Sequence, residues 1–220
     1  MPKHEGVSLS VIKRLPRYYR FLGDLLKKDV TRISSRELAQ LMRLTASQIR
    51  QDLNCFGGFG QQGYGYNVAA LHNEIGNILG LNNSTNIILL GAGNLGRAIA
   101  KHMNFETRGF ELTGIFDTSP SVIGQPVKDL IVRDMEMLED FCNEYHPKAA
   151  ILCIPKEGAL ETADRLIKLG VKYFWNFSHY DLSLVFEQVI VENVHLGDSL
   201  MTLCYRINDA DDEVETTNQQ

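Results

Sequence analysis

From Ser10 to Lys28 apolar side chains return at helical spacing, as Val11, Ile12, Leu15, Tyr18, Tyr19, Leu22, Leu25 and Leu26, with Lys13, Arg14, Arg17 and Arg20 among them. The run predicts an amphipathic helix with Pro16 either in its first turn or at a kink. Ser34 and Ser35 ahead of Glu37 supply an N-cap and a supporting carboxylate for a short second helix over Leu38, Ala39, Leu41 and Met42. Thr45 caps a third, Ala46 to Leu53, whose Ile49 and Leu53 share an inward face. Two short helices joined by so few residues describe a helix-turn-helix. Aromatics alternating with glycines from Phe56 to Tyr66 predict a hairpin, or wing, and Val68, Leu71, Ile75, Ile78 and Leu79 a further helix closed by Gly80.

Past the polar stretch Asn82 to Thr85 the pattern alternates between strands and helices. Strands are predicted over Asn86–Leu90, Glu111–Phe116, Ala149–Ile154, Lys172–Asn176 and Val189–Val194, with helices over Asn94–Met103, Glu136–Glu144 and Gly158–Leu169. That rhythm builds a doubly wound parallel sheet. Ser199–Ile207 is amphipathic and helical, while Asp209–Gln220 is polar and acidic and is expected to be disordered.

Charge sharpens this division. Residues 1–80 hold 11 Lys and Arg against 6 Asp and Glu, whereas residues 81–220 hold 11 against 21. A basic N-terminal third on an acidic body is the outline of a polyanion-binding module, with nucleic acid as its natural partner. Cys55, Cys142, Cys153 and Cys204 are scattered without a Cys-x-x-Cys pair, so neither a zinc knuckle nor a dithiol motif is indicated, and no metal site is expected. No apolar run approaches the roughly 18–20 residues that cross a bilayer, and no signal-peptide core follows the first residues. No membrane partner is expected, and the location is read as cytoplasmic.

The strand Asn86–Leu90 runs directly into Gly91-Ala92-Gly93-Asn94-Leu95-Gly96 and then a helix, the context in which Gly-x-Gly-x-x-Gly binds a dinucleotide. Gly91 serves the tight turn, Gly93 the approach of backbone to pyrophosphate and Gly96 the packing of helix on strand, with the helix N-terminus offering free N–H groups. Asp117 ends the next strand 21 residues after Gly96, followed by Thr118. A carboxylate there accepts hydrogen bonds from both adenosine ribose hydroxyls and repels a 2′-phosphate, which favours NAD(H) over NADP(H). Ile154 and Pro155, and further on Phe177 and Ser178, end later strands at the same sheet edge, where ligands of open α/β sheets bind.

The basic helix Ile12-Lys13-Arg14-Leu15-Pro16-Arg17-Tyr18-Tyr19, the segments Ser34–Ala39 and Gln48–Leu53, the Gly-Tyr-Gly-Tyr wing and the fingerprint together resemble the redox-sensing repressor family Rex, over residues 8–207. The resemblance implies a winged-helix DNA-binding domain over 1–83, a Rossmann NAD(H)-binding domain over 84–196, a helix over 197–208 swapped against a partner subunit, and the acidic tail 209–220. It further implies a homodimer on palindromic, double-stranded operator DNA, in which NADH moves the recognition helices off their half-site spacing and NAD+ permits binding. Ser47, Gln48, Arg50 and Gln51 would then face the major groove or its flanking phosphates, Arg14, Arg17 and Tyr18 the backbone, and Gln62 and Tyr64 the minor groove.

The chain departs from the family where a basic wing residue is usual and Gln61-Gln62 stands, and where a recognition-helix lysine is usual and Gln51 stands. Each lost cationic phosphate contact lowers the salt slope by about 0.9. Where the family commonly places a tyrosine after the fingerprint helix and an aspartate before the swapped helix, this chain has His102 and His195, candidate switch residues of a side-chain type that introduces pH sensitivity.

Two other readings share the fingerprint. An NAD-dependent dehydrogenase would need chemistry that is not evident, because Lys156, His179 and His195 show no acid–base spacing and no substrate domain follows. No catalytic residue is therefore assigned. A repressor with an altered ligand response, to NAD+ only or to CoA, remains open, although Asp117 argues against CoA.

Overall fold

The computed structural model describes residues 7–57, 59–61 and 64–217. They form two compact units, one of the residues up to Asn83 with Thr107–Gly109, the other of 84–106 and 110 onward.

In the first unit the predicted opening helix is two. α1 (Leu9–Ile12) ends before Lys13, and α2 (Leu15–Leu26) starts with Pro16 in its first turn. Proline has no N–H for the carbonyl four residues back, here that of Ile12, and its ring collides with that carbonyl, which favours a break over a continuous helix. β1 (Arg32–Ile33) follows, then α3 (Ser35–Met42) behind a complete Ser34/Glu37 capping box and α4 (Ala46–Asn54) behind Thr45. Arg43, in the left-handed region at φ 51°, makes the break between them. β2 (Gly60–Gln61) and β3 (Gly65–Asn67) are the wing; β3 pairs antiparallel with both β1 and β2, and α5 (Val68–Ile78) closes the unit. Two residues are too few for β1 to show alternation, which is why the sequence pattern did not reveal it. Leu15, Leu22, Leu38, Met42, Ile49, Leu53, Leu71 and Ile75 form the buried core, so α3 and α4 are fixed by side chains drawn from every helix after α1.

The second unit runs β4 (Thr85–Leu90), α6 (Asn94–His102), β5 (Phe110–Asp117), β6 (Pro126–Val127), β7 (Leu130–Asp134), α7 (Leu138–Tyr145), β8 (Ala149–Leu152), α8 (Lys156–Lys168), β9 (Tyr173–Asn176), β10 (Ile190–Asn193) and α9 (Leu196–Thr217). The strands lie in the order β10-β9-β8-β4-β5-β7-β6, all parallel apart from β6 against β7. Counting the parallel strands alone gives 3-2-1-4-5-6, the order of dinucleotide-binding sheets, with its switch point between β4 and β8. Separate apolar clusters cover the two faces, as a sheet buried on both sides requires.

Three segments differ from the sequence reading. The hairpin β6–β7 replaces a helix in one crossover and went unpredicted, because it buries only Val127 and Val132 among turn residues. α7 starts at Leu138, since Asp134 caps a single 3-10 turn ahead of it. α9 is longer than the expected 199–207, and the stretch expected to be disordered is helical as far as Thr217. Neither glycine nor proline follows Gly197, so nothing covalent stops the helix.

Candidate functional site

Close approach of backbone dictates the glycines of the β4–α6 turn. At Gly91, φ is +96° and a Cβ would lie 2.3 Å from the Cys153 carbonyl oxygen; at Gly96 a Cβ would lie 1.8 Å from the Gly91 oxygen. Around Gly93 the space is open, with no heavy atom within 4 Å of a Cβ position. The turn is therefore closed where it meets the sheet and open at the α6 N-cap, where Asn94 and Leu95 are also exposed. A phosphate placed there meets unpaired helix N–H groups and the positive end of the helix dipole.

Asp117 faces this turn. Its Oδ2 accepts from the Ala92 amide at 2.6 Å and its Oδ1 from the Ser119 amide at 2.8 Å. A carboxylate has about four acceptor positions, so about two remain for ribose hydroxyls. Thr118 beside it is exposed. Arg97, unmarked by the sequence reading, donates from Nε to the Ala92 carbonyl at 2.8 Å and from its guanidinium to Gln125 Oε1 at 2.6 Å. It braces the turn from within α6; a basic side chain immediately after the third glycine was the available signal.

The later strand ends divide. Pro155 is the exposed N-cap of α8 and Ile154 is half-buried beside Gly91. Phe177 packs edge-on to Trp175 at 4.8 Å. Ser178 is buried, its hydroxyl donating to Asn176 Oδ1 at 2.7 Å. These last two hold the β9 terminus together: Asn176 in turn donates to the Tyr180 carbonyl and to Asn193 Oδ1. Burial pushes the Cys153 thiol up to about 12 and that of Cys142 up to about 11, which keeps both neutral.

In the winged-helix unit Ser47, Arg50 and Gln51 are exposed along α4, and Arg50 reaches Ser35 Oγ at 3.2 Å. Tyr64 is 70% exposed at the wing. Gln62 lies outside the described residues. Three other expected DNA contacts converge on an acid that the sequence reading passed over, Asp52. Arg14 donates to both its oxygens from Nε and its guanidinium at 2.7 Å, Tyr18 donates its hydroxyl at 2.8 Å, and Gln48 donates from Nε2 at 2.7 Å. Asp52 and Tyr18 are fully buried, so Tyr18 is a core residue and its expected place on the DNA backbone is corrected. Burial alone would raise the Asp52 pKa, but the donors from Arg14, Tyr18 and Gln48 outweigh it and hold the carboxyl below its ordinary value. Burial, reinforced by the bond to Asp52, pushes the Tyr18 phenol up. Arg17 is half-buried, donates to the Met42 carbonyl at the end of α3 and lies over the Phe21 ring. Its guanidinium serves the α3 C-terminus first.

His102 is exposed in the last turn of α6. His195 precedes α9 with its Nδ1 3.3 Å from that of His179, whose φ is 59°. Among the described residues no group of three or more His, Cys, Asp or Glu is placed to hold a metal, and no helix is long and apolar enough to cross a membrane.

Residues 6–54 match the family described as putative DNA-binding protein N-terminus, and residues 82–180 the CoA binding domain. The redox-sensing transcriptional repressor Rex of Caldanaerobacter subterraneus subsp. tengcongensis is 56% identical over 209 residues, covering 95% of this chain and 93% of that protein. A crystal structure of RSP in complex with beta-NAD+ and operator DNA superimposes with a TM-score of 0.87 at 54% identity, covering 97% of this chain and 98% of that one. RSP in complex with beta-NADH gives 0.86 at 53% identity, over 94% and 96%. With a helix-turn-helix and wing on one unit and a dinucleotide turn on the other, the chain belongs to the Rex family of redox-sensing transcriptional repressors.

Proposed function

We propose that this chain represses transcription as a homodimer on palindromic operator DNA, holds NAD(H) on the β4–α6 turn, and releases DNA when NADH is bound. The observation that carries the reading is the turn itself. A Cβ is blocked by backbone at Gly91 and Gly96 while the space at Gly93 is open, beneath a helix N-terminus and beside the Asp117 carboxylate. Gly91, Ala92, Gly93, Asn94, Leu95 and Gly96 would hold the pyrophosphate, Asp117 and Thr118 the adenosine ribose, and Ile154 and Pro155 the strand-end wall; Phe177 and Ser178 shape that edge from inside. What the dinucleotide supplies is its redox state, a nicotinamide ring that is cationic when oxidised and neutral when reduced. No turnover is part of the reading.

Asp117 also argues for the ligand class. Two of its lone pairs suit free 2′ and 3′ hydroxyls, and its charge repels the 2′-phosphate of NADPH and the 3′-phosphate of CoA. RSP, half identical to this chain, has been crystallised with both NAD+ and NADH. For the DNA side, Ser47, Gln48, Arg50 and Gln51 on α4 would form the groove-facing set, with Tyr64 on the wing, Gln62 two residues before it in sequence, and the accessible parts of Arg14 and Arg17 near the phosphates. The partner subunit would cover α9, where Leu196, Leu200, Met201, Leu203, Tyr205 and Ile207 are each more than half exposed. Calorimetric titration with NAD+, NADH, NADPH and CoA tests the ligand. Binding of both NAD+ and NADH with far weaker NADPH and CoA is expected, and a preference for CoA would overturn the assignment.

A further inference from the structure

The carboxylate of Asp52 has all of its acceptor positions filled: two by Arg14, one by Tyr18 and one by Gln48. Only the last donor lies on the same helix, one turn before Asp52, at the third position of α4. An ionised carboxylate accepts and never donates, so the Gln48 amide has only one way to meet it. Nε2 must face Asp52, and the carbonyl oxygen Oε1 must lie on the amide's other edge. The flip ambiguity that leaves a surface glutamine able to present either edge is absent here.

We infer that Asp52 is a positioning residue for sequence recognition: it fixes Gln48 so that α4 presents Oε1 to the major groove and selects a base carrying an exocyclic amino group. The inference rests on α4 being the recognition helix. In the major groove adenine N6 and cytosine N4 carry donors, whereas guanine O6 and thymine O4 are acceptors that Oε1 repels. The second Nε2 hydrogen remains free to reach a purine N7, so adenine satisfies both edges. Arg14 and Tyr18 matter indirectly. Arg14, the N-cap of α2, binds both oxygens and Tyr18 within α2 binds Oδ2, and together they prevent the carboxylate from rotating to follow Gln48. A buried charge with four donors is an expensive way to hold a helix; its distinctive product is an amide of one polarity.

The experiment selects binding sites from a random duplex library with the full-length protein in NAD+, comparing the parent chain with Gln48→Ala and Asp52→Asn. Asparagine has the shape of the acid and one accepting oxygen, but its own amide can also donate, which lets Gln48 turn over. The parent is expected to favour adenine or cytosine by roughly tenfold at one step of each half-site. Both variants should bring that preference to within about twofold while leaving the other positions unchanged. Gln48→Ala removes one of the four donors to Asp52 but leaves Arg14, Tyr18 and the apolar core in place, so it retains the test should Asp52→Asn fold poorly. Unchanged preferences in Gln48→Ala, or an Asp52→Asn protein that weakens all sequences equally, would overturn the inference. A parent protein that enriches no sequence would instead refute the repressor reading on which it stands.

Discussion

The Oδ2 of Asp117 lies 2.6 Å from the amide nitrogen of Ala92, so the acid that ends β5, proposed above to meet the ribose, also holds the β4–α6 turn in shape. A charge-assisted bond of this kind is worth about 1.5–3 kcal/mol. Asp117→Ala is expected to weaken NADH binding at least about tenfold, measured by calorimetry, and to narrow the gap between NADH and NADPH. An Asp117→Ala protein that binds NADH as the parent does would remove this residue from the site.

The three glycines separate fold from ligand. Gly96→Ala drives a Cβ into the Gly91 carbonyl, which requires backbone movement and should cost about 1–3 kcal/mol of stability. Gly93→Ala meets nothing in the protein, so its melting temperature should stay near the parent's while the NADH-induced thermal shift disappears. Equal destabilisation of the two variants would mean that Gly93 serves packing and that the open space is not a pyrophosphate cradle.

Asp52 ties the DNA-binding unit to pH. Its folded pKa is lowered, so the stability it contributes is present above the ordinary carboxylate pKa and is lost as pH falls through the folded value. In an acid titration followed by circular dichroism, the winged helix should begin to lose structure below about pH 4. Asp52→Asn should flatten this dependence, and Asp52→Ala, which strands the Arg14 guanidinium and the Tyr18 hydroxyl, should cost about 3–5 kcal/mol. An unchanged acid profile in Asp52→Asn would show that other carboxylates govern it.

Much of this was legible in the chain because local rules act locally. The Ser34/Glu37 capping box, Thr45, and the strand-glycine-helix run each announce themselves within a few residues. The buried polar cluster did not, because its members are 34 and 38 residues apart in sequence and only packing brings them together. Arginine and tyrosine on a basic helix suggest phosphate contact, yet a single acid on the facing helix claims both. β1 and the β6–β7 hairpin were hidden for a different reason: short edge elements bury too little to impose a pattern. The end of α9 was misjudged because acidic composition was read as disorder where no residue breaks the helix.

The exposed apolar face of α9 predicts the assembly. Replacing Leu200 and Leu203, which are 67% and 53% exposed, with glutamate should abolish the proposed dimer without lowering the helicity of the remainder. Sedimentation velocity at micromolar protein would show a single species at the monomer mass, with operator affinity falling steeply because two half-sites no longer bind together. A dimer that survives both substitutions would place the interface elsewhere.

The most direct test of a nucleotide-governed DNA grip is fluorescence anisotropy of a labelled operator duplex at fixed total nicotinamide nucleotide, as the NADH/NAD+ ratio is raised. High anisotropy in NAD+ and a cooperative fall as NADH replaces it are expected, with full recovery when NADH is oxidised. Anisotropy that stays constant across the whole ratio would contradict it.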